Sequence, residues 1–254
     1  MVSTIVVLTI LVILVANSSG FPRVQAQYLN FEVFSERFLQ VLQAFRINLT
    51  IFVIAQVLVL IGGLVLALAR SLRGPVFFPI RAAAILYIDI FRGLPSILVI
   101  YILGFGIPAL GLPGTPKDPF FWAVVALAMT WSAYVAEVYR AGIDSVHPSQ
   151  NAAARSLGLT STQSMRFVVL PQAVRRVIPP LLNDSIGLLK DTALVAFLGP
   201  IDVFRRTQII QFAEFNFTPY LIAALIFLAL TIPMSRFVDW LVSRDRQSQF
   251  AGAR

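Results

Sequence analysis

The chain contains no cysteine and only one histidine, His147. The first absence excludes disulfides, thiolate metal sites and a cysteine nucleophile. The second argues against a histidine metal cluster or a histidine-based triad. No GxxxxGK(S/T) phosphate loop occurs, so the chain is not by itself a P-loop ATPase. Charge is scarce: 13% of the 254 residues are Asp, Glu, Lys or Arg, about half the share of an average soluble domain. What remains is apolar. Hydrophobic residues make up 58% of the chain, and several runs approach or exceed the ~20 residues that cross a bilayer as a helix. These features predict an all-α membrane protein, a polytopic helical bundle. The net charge of +8 does not indicate nucleic acid. Most basic residues occupy short segments between apolar runs, the distribution expected of cytoplasmic loops.

Read in order, residues 1–19 predict a first membrane helix, ~28 Å long at 1.5 Å per residue. Val24-Gln25-Ala26 offers a signal-peptidase-like alternative. The lack of a basic residue ahead of the apolar run favours an uncleaved helix. Residues 1–30 therefore form an N-terminal helix or signal-like segment with an external linker, and 31–254 form the main membrane domain. Within it, residues 31–45 predict an amphipathic helix along the outer interface. Spans are predicted at 48–69, 82–105, 120–139, 167–198 and 218–242. Arg70, Arg73 and Arg81 place the first connection inside the cell, and Arg244, Arg246 and Arg254 place the C-terminus there. The Gly- and Pro-rich segment 106–119 and the segment 201–217, with Asp202, Arg205, Arg206 and Glu214, read as external.

Residues 137–200 stand apart. The first thirty are polar, and then Asp184, Lys190 and Asp191 are embedded among apolar neighbours. Pro148 suits a first helical turn, Ala152, Ala153 and Ala154 are strong helix formers, and Gly158 is placed to end the helix in a left-handed conformation. Thr160 and Gln163 then suit a capping box for a second helix. A short helix over 148–158 with small side chains and Arg155 reads as an ordinary loop helix or as a knob that docks into another protein.

The spacing Ala152-Ala153-Ala154, Gly158, Val168 and Leu170-Pro171 resembles the EAA signature of bacterial ABC importer permeases. The stretches FRGLP (91–95), SAYVAEVYRAGI (132–143), LPQAVRRVIPPLLN (170–183) and LLKDTALVAFLG (188–199) resemble the polar amino acid uptake family of those permeases. Two positions depart from the pattern. Ala152 replaces the glutamate of the EAA triplet, and Leu94 replaces the threonine of FRGTP. The resemblance implies a five-helix permease core, to which this chain adds one N-terminal helix. It also implies a multi-pass subunit of the bacterial cytoplasmic membrane, in contact with lipid, that forms the pathway for a polar amino acid. Ala152, Ala153, Ala154, Arg155 and Gly158 would couple it to a separate ATP-binding subunit. A second permease, identical or not, and an extracytoplasmic solute-binding protein complete the expected assembly. No cofactor is expected on this chain.

Charged residues inside spans cost several kcal/mol and need a partner or a task. Arg92 has Asp89 nearly one turn away as a neutralising partner, or it faces the pathway and holds a carboxylate. Glu137 and Arg140, also one turn apart, read as structural. Asp184 and Asp191 lie seven residues apart, close to two turns, so an unbroken helix puts them on one face ~10 Å apart. Two such carboxylates suit an ammonium group, and Arg92 suits an α-carboxylate. The alternative is that Lys190 neutralises Asp191 at an external helix end. Pro171, Pro179 and Pro180 predict a kinked helix. Trp122, Trp131 and Trp240 read as packing or interface residues. Two rival functions remain: an ion-coupled secondary amino acid carrier using Asp184 and Asp191, and a membrane scaffold with no transport role.

Overall fold

A computed structural model describes residues 2–251, and every regular element among them is helical. In order these are α1 (Val2–Ala16), α2 (Phe21–Tyr28), α3 (Phe31–Ser71), α4 (Phe78–Gly93) and α5 (Ser96–Tyr101). A π-helical turn (Ile102–Gly106) leads to α6 (Ile107–Ala109) and then α7 (Pro119–Asp144), α8 (Pro148–Ser156) and α9 (Ser161–Ser164). A second π-helical turn (Met165–Val169) enters α10 (Leu170–Asp191), which continues as a 3₁₀ segment (Thr192–Leu198). α11 (Val203–Glu214) and α12 (Thr218–Ala251) complete the chain. Met1 and Arg254 lie outside the described residues.

Among the described residues, three stretches are long and apolar enough to cross a membrane: Phe21–Ser71, Pro119–Asp144 and Thr218–Arg244. The bent pair Phe78–Gly93 and Ser96–Ala109 counts as a fourth. α10 carries too many charges to qualify by composition. It is instead packed between α7 and α12.

Several predicted elements form differently. The first helix ends at Ala16 rather than at residue 19, because Asn17 and Ser18 turn their side chains back onto the carbonyls of Ile13 and Val15. Fifteen residues reach only ~22 Å. The segment 31–45 is not a separate interfacial helix. It is the first third of the 41-residue α3, entered through an Asn30 cap on the Val33 N–H. Val41, Phe45 and Asn48 bury one face of this extension against α11 and α12, in a cluster with Leu189, Val203, Ile210 and Ile222. The predicted span 82–105 is broken. Leu94 and Pro95 are extended, and the axes on either side differ by 109°. Proline disfavours a helical conformation at the residue before it, which explains the break at Leu94.

α7 is the central post. It packs on α3, α4, α5 and α10. Small residues set the closest approaches: a Cβ on Gly63 would fall 2.6 Å from Val135. Along α10, Gly142 faces Val177 and Gly187 faces Trp131. As numbers fall on one helix they rise on the other, so α7 and α10 run antiparallel. The main core joins Ile51, Ala55 and Val59 of α3 to Ala123, Ala126 and Leu127 of α7 and Leu188 of α10.

α2 is tied to the turn between α11 and α12. The Ala26 carbonyl accepts from Asn216 Nδ2 at 3.1 Å and the Gln27 carbonyl from the Phe217 N–H at 2.7 Å. Tyr28 stacks on Phe217 at 4.8 Å.

Candidate functional site

The 109° break, the middle of α7 and the end of α10 converge. Because Pro95 breaks the helix, Ser96 starts α5 with its hydroxyl free of the preceding turn. It donates to Asp191 Oδ2 at 2.8 Å. The Trp131 indole N–H of α7 donates to the same oxygen at 3.2 Å. Asp191 therefore clamps the end of α10 to both α5 and α7, and charge-assisted bonds of this kind are about twice as strong as neutral ones. Lys190 makes no ion pair with Asp191. The two residues project about 100° apart around the helix, and the Lys190 side chain lines a groove of about 310 Å³ with Phe204, Tyr220 and Phe227.

Asp184 sits two turns back along α10, which is unbroken between the two acids. The antiparallel register sets it opposite Tyr134 and Val135 of α7. It is half-buried, and its Oδ2 is enclosed without a hydrogen-bond donor. A buried acceptor left unpaired costs about 1–3 kcal/mol, more when charged. The guanidinium of Arg92 attracts this carboxylate from beyond ion-pair distance.

Arg92 lies in the last turn of α4, where a cation complements the helix dipole. It does not pair with Asp89. Its guanidinium lies 5.7 Å from the centre of the Tyr134 ring, and its nearest carboxylate oxygen is Glu137 Oε2, at 3.9 Å. Glu137 is the hub of a cluster that its sequence context conceals. Oε1 accepts from Arg70 of α3, and Oε2 accepts from Arg140 Nη2 at 2.9 Å and Nε at 3.2 Å. Arg140 also reaches Asp144 at 2.7 Å. Ser96 and Tyr134 are neighbours of the candidate site that sequence reasoning did not single out; Glu137 does pair with Arg140 as expected, but its contacts with Arg70 and Arg92, and the Trp131 bond to Asp191, were not foreseen. Of the two neighbours, only Ser96 has a local signal, its position directly after Leu94-Pro95.

The short polar helix forms a second site. α8 spans Pro148–Ser156, with His147 capping Ser149 and Gly158 at φ +86°, the left-handed conformation expected. Thr160 and Gln163 make the reciprocal capping box. The three alanines are not equivalent. Ala152 and Ala153 are exposed, whereas Ala154 is only 4% exposed and faces the protein. Asn151 Oδ1 accepts from Ser164 Oγ at 2.6 Å, and the Arg155 guanidinium donates to the Leu159 carbonyl at 3.0 Å. Arg155 thus braces the loop at Gly158.

A cluster of charges around a broken helix in an apolar helical bundle, with a short polar surface helix, is an arrangement suited to a transport subunit. The profile of the family described as "Binding-protein-dependent transport system inner membrane component" matches residues 63–247. The chain belongs to that family, whose members are permease subunits of ABC transport systems. It is 36% identical over 197 residues to the probable glutamine ABC transporter permease protein GlnM of Bacillus subtilis, covering 77% of this chain and 90% of that one. To the arginine transport system permease protein ArtQ of the same organism it is 36% identical over 209 residues, covering 82% and 93%. A crystal structure described as an amino acid ABC transporter with histidines superposes with a TM-score of 0.76. The two sequences are 34% identical, and the alignment covers 85% of this chain and 98% of that one. Nothing in these comparisons supports a secondary carrier.

Proposed function

We propose that this subunit forms the translocation pathway of an ATP-driven importer for polar amino acids, with Asp184, Asp191 and Arg92 at the substrate site. The observation that carries the reading is the enclosed, unpaired oxygen of Asp184 within reach of the Arg92 charge. A zwitterion placed between them offers an ammonium to the first and a carboxylate to the second. Asp191, held by Ser96 and Trp131, frames the site and adds negative charge. The amino acid class agrees with the substrates named for its relatives. Asp184→Asn is expected to lower uptake by about 100-fold, the loss of one buried charge-assisted contact of roughly 3 kcal/mol. Complex assembly and basal ATPase activity should persist. Normal uptake across a range of substrate concentrations rejects the assignment.

The energy comes from a separate ATP-binding subunit that seats α8 in a groove, and the substrate comes from an extracytoplasmic solute-binding protein. A second permease, identical or related, closes the pathway. The arginine-rich ends of α3, α4 and α7, together with α8 and the C-terminus, face the cytoplasm. Ala153 is the docking contact, while Ala154 packs within the subunit. Ala153→Arg should therefore uncouple ATP hydrolysis from transport without lowering membrane abundance, by steric clash and buried charge. A cysteine at Ser161 should resist an impermeant thiol reagent in intact cells. Full substrate-stimulated ATPase activity in Ala153→Arg, or external labelling at position 161, would count against this docking arrangement.

A further inference from the structure

We infer that Glu137 is a positioning residue for the substrate carboxylate: it holds Arg92 when the site is empty and gives it up when substrate arrives. The inference rests on the substrate site proposed above. Its basis is the uneven geometry of the arginine cluster. Arg70 and Arg140 bind Glu137 closely, and Arg140 does so through two nitrogens. Arg92 stands off at 3.9 Å, the loosest of the three contacts. The side chain of Arg92 is 44% exposed against 16% for Glu137. Arg140 is nearly as exposed, at 43%, but it is bound through two nitrogens and also by Asp144, so Arg92 is the most weakly held of the three arms. Its position over Tyr134 gives it a second resting surface on the side toward Asp184.

Charge balance points the same way. Within ion-pair distance the cluster holds three cations, Arg70, Arg92 and Arg140, against two anions, Glu137 and Asp144, leaving one positive charge that Asp184 meets only at longer range. An incoming α-carboxylate would offset that excess. A guanidinium already drawn toward one planar carboxylate can turn to another of the same geometry with little rearrangement. The same exchange keeps Arg92 from binding substrate too tightly. Glu137 competes for it, and that competition helps release the amino acid. Arg92 belongs to the last turn of α4, directly before the 109° break, so the site's occupancy bears on the residue where the chain changes direction.

The two roles open to Glu137 predict different kinetics. As a competitor for Arg92, its neutralisation strengthens substrate binding and slows release. As a structural counter-ion only, its neutralisation lowers the amount of folded protein and leaves the affinity alone. The test measures Glu137→Gln, Glu137→Asp and Asp184→Asn in the full complex in cells, using the standard amino acids that cells with the wild-type complex accumulate. Vmax is normalised to membrane abundance. For Glu137→Gln the expected result is a KM lower by roughly 5-fold or more, with a lower normalised Vmax. Glu137→Asp, which keeps the charge, should recover much of the Vmax. An unchanged or raised KM in Glu137→Gln overturns the exchange. If Asp184→Asn abolishes uptake in the same experiment, the substrate site stands and only the exchange fails. If Asp184→Asn is normal, or wild type accumulates no amino acid, the site reading falls and the exchange falls with it.

Discussion

Proline occurs at two comparable places in this chain, and the outcomes differ. At Leu94-Pro95 the helix stops, turns by 109° and restarts as α5. At Pro179-Pro180 it does not stop, and α10 runs from Leu170 to Asp191 through both prolines. The local penalty is similar, since each proline lacks an N–H and crowds the preceding turn. What differs is the support. Around Pro179 and Pro180, α10 is held against α7 by Val177 and the Ala173 carbonyl, both facing Gly142, and by Ala173 buried with Val146 just beyond α7. The Arg176 guanidinium ties the helix to the Ser145 carbonyl of α7. At Pro95 the new helix finds its support in the Ser96 bond to Asp191 and in a core contact of Val99 and Ile100 with α7. Tertiary contacts thus decide whether a proline bends a helix or ends it, and only the ended one leaves a side chain free to reach the site.

The largest effect is expected where the break itself is removed. Pro95→Ala lets Leu94 return to helical geometry and swings Ser96 away from Asp191. Loss of that charge-assisted bond alone corresponds to about 1.5–3 kcal/mol, so uptake normalised to abundance should fall by roughly 10- to 100-fold. Retained uptake would show that the bend is imposed by packing and not by proline. An intermediate effect is expected at Gly187. A Cβ there would stand 2.2 Å from the Trp131 ring, displacing the indole that holds Asp191. Gly187→Ala should destabilise the folded subunit by about 1–3 kcal/mol and shift the Trp131 fluorescence. An unchanged emission spectrum together with an unchanged melting temperature would mean that the clamp is looser than the distance implies. The smallest effect is expected at the tolerated prolines. Pro179→Ala and Pro180→Ala restore hydrogen-bond donors that α10 can use, so thermal stability should hold or rise and uptake should stay within about 3-fold of wild type. A collapse of uptake in either variant would erase the contrast and assign a working hinge to α10.

The sequence carries much of this arrangement. Asp184 and Asp191 are legible as one face of a helix because a seven-residue interval survives wherever the helix is continuous. The cap at Thr160, the left-handed turn at Gly158 and the helix over the three alanines are local features, and local chemistry predicts them. The break at Leu94 is hidden because apolar residues continue on both sides, and hydropathy has no direction. The partner of Trp131 depends on the register between α7 and α10, which no single segment contains. Asp202 is hidden in the same way. Its sequence context does not show that it is fully buried, accepting from Asn48 of α3 at 2.9 Å and from the Arg205 N–H at 2.9 Å as the cap of α11. Glu137 has Arg140 in plain view one turn on, while Arg70 and Arg92 come from 67 and 45 positions away, so its role as a hub is visible only in three dimensions.

The length of α3 has a mechanical consequence. Forty-one residues without a proline make a rod of about 61 Å, roughly twice the thickness of a bilayer core. One end lies beside the turn that α2 braces, and the other carries Arg70 into the Glu137 cluster. Such a rod has no proline joint at which to absorb a tilt. A rotation of about 5° at the far end moves Arg70 by roughly 5 Å over that length, more than the reach of an ion pair. A tilt at one end of α3 would thereby be felt at the ion pair that Arg70 makes with Glu137 at the other.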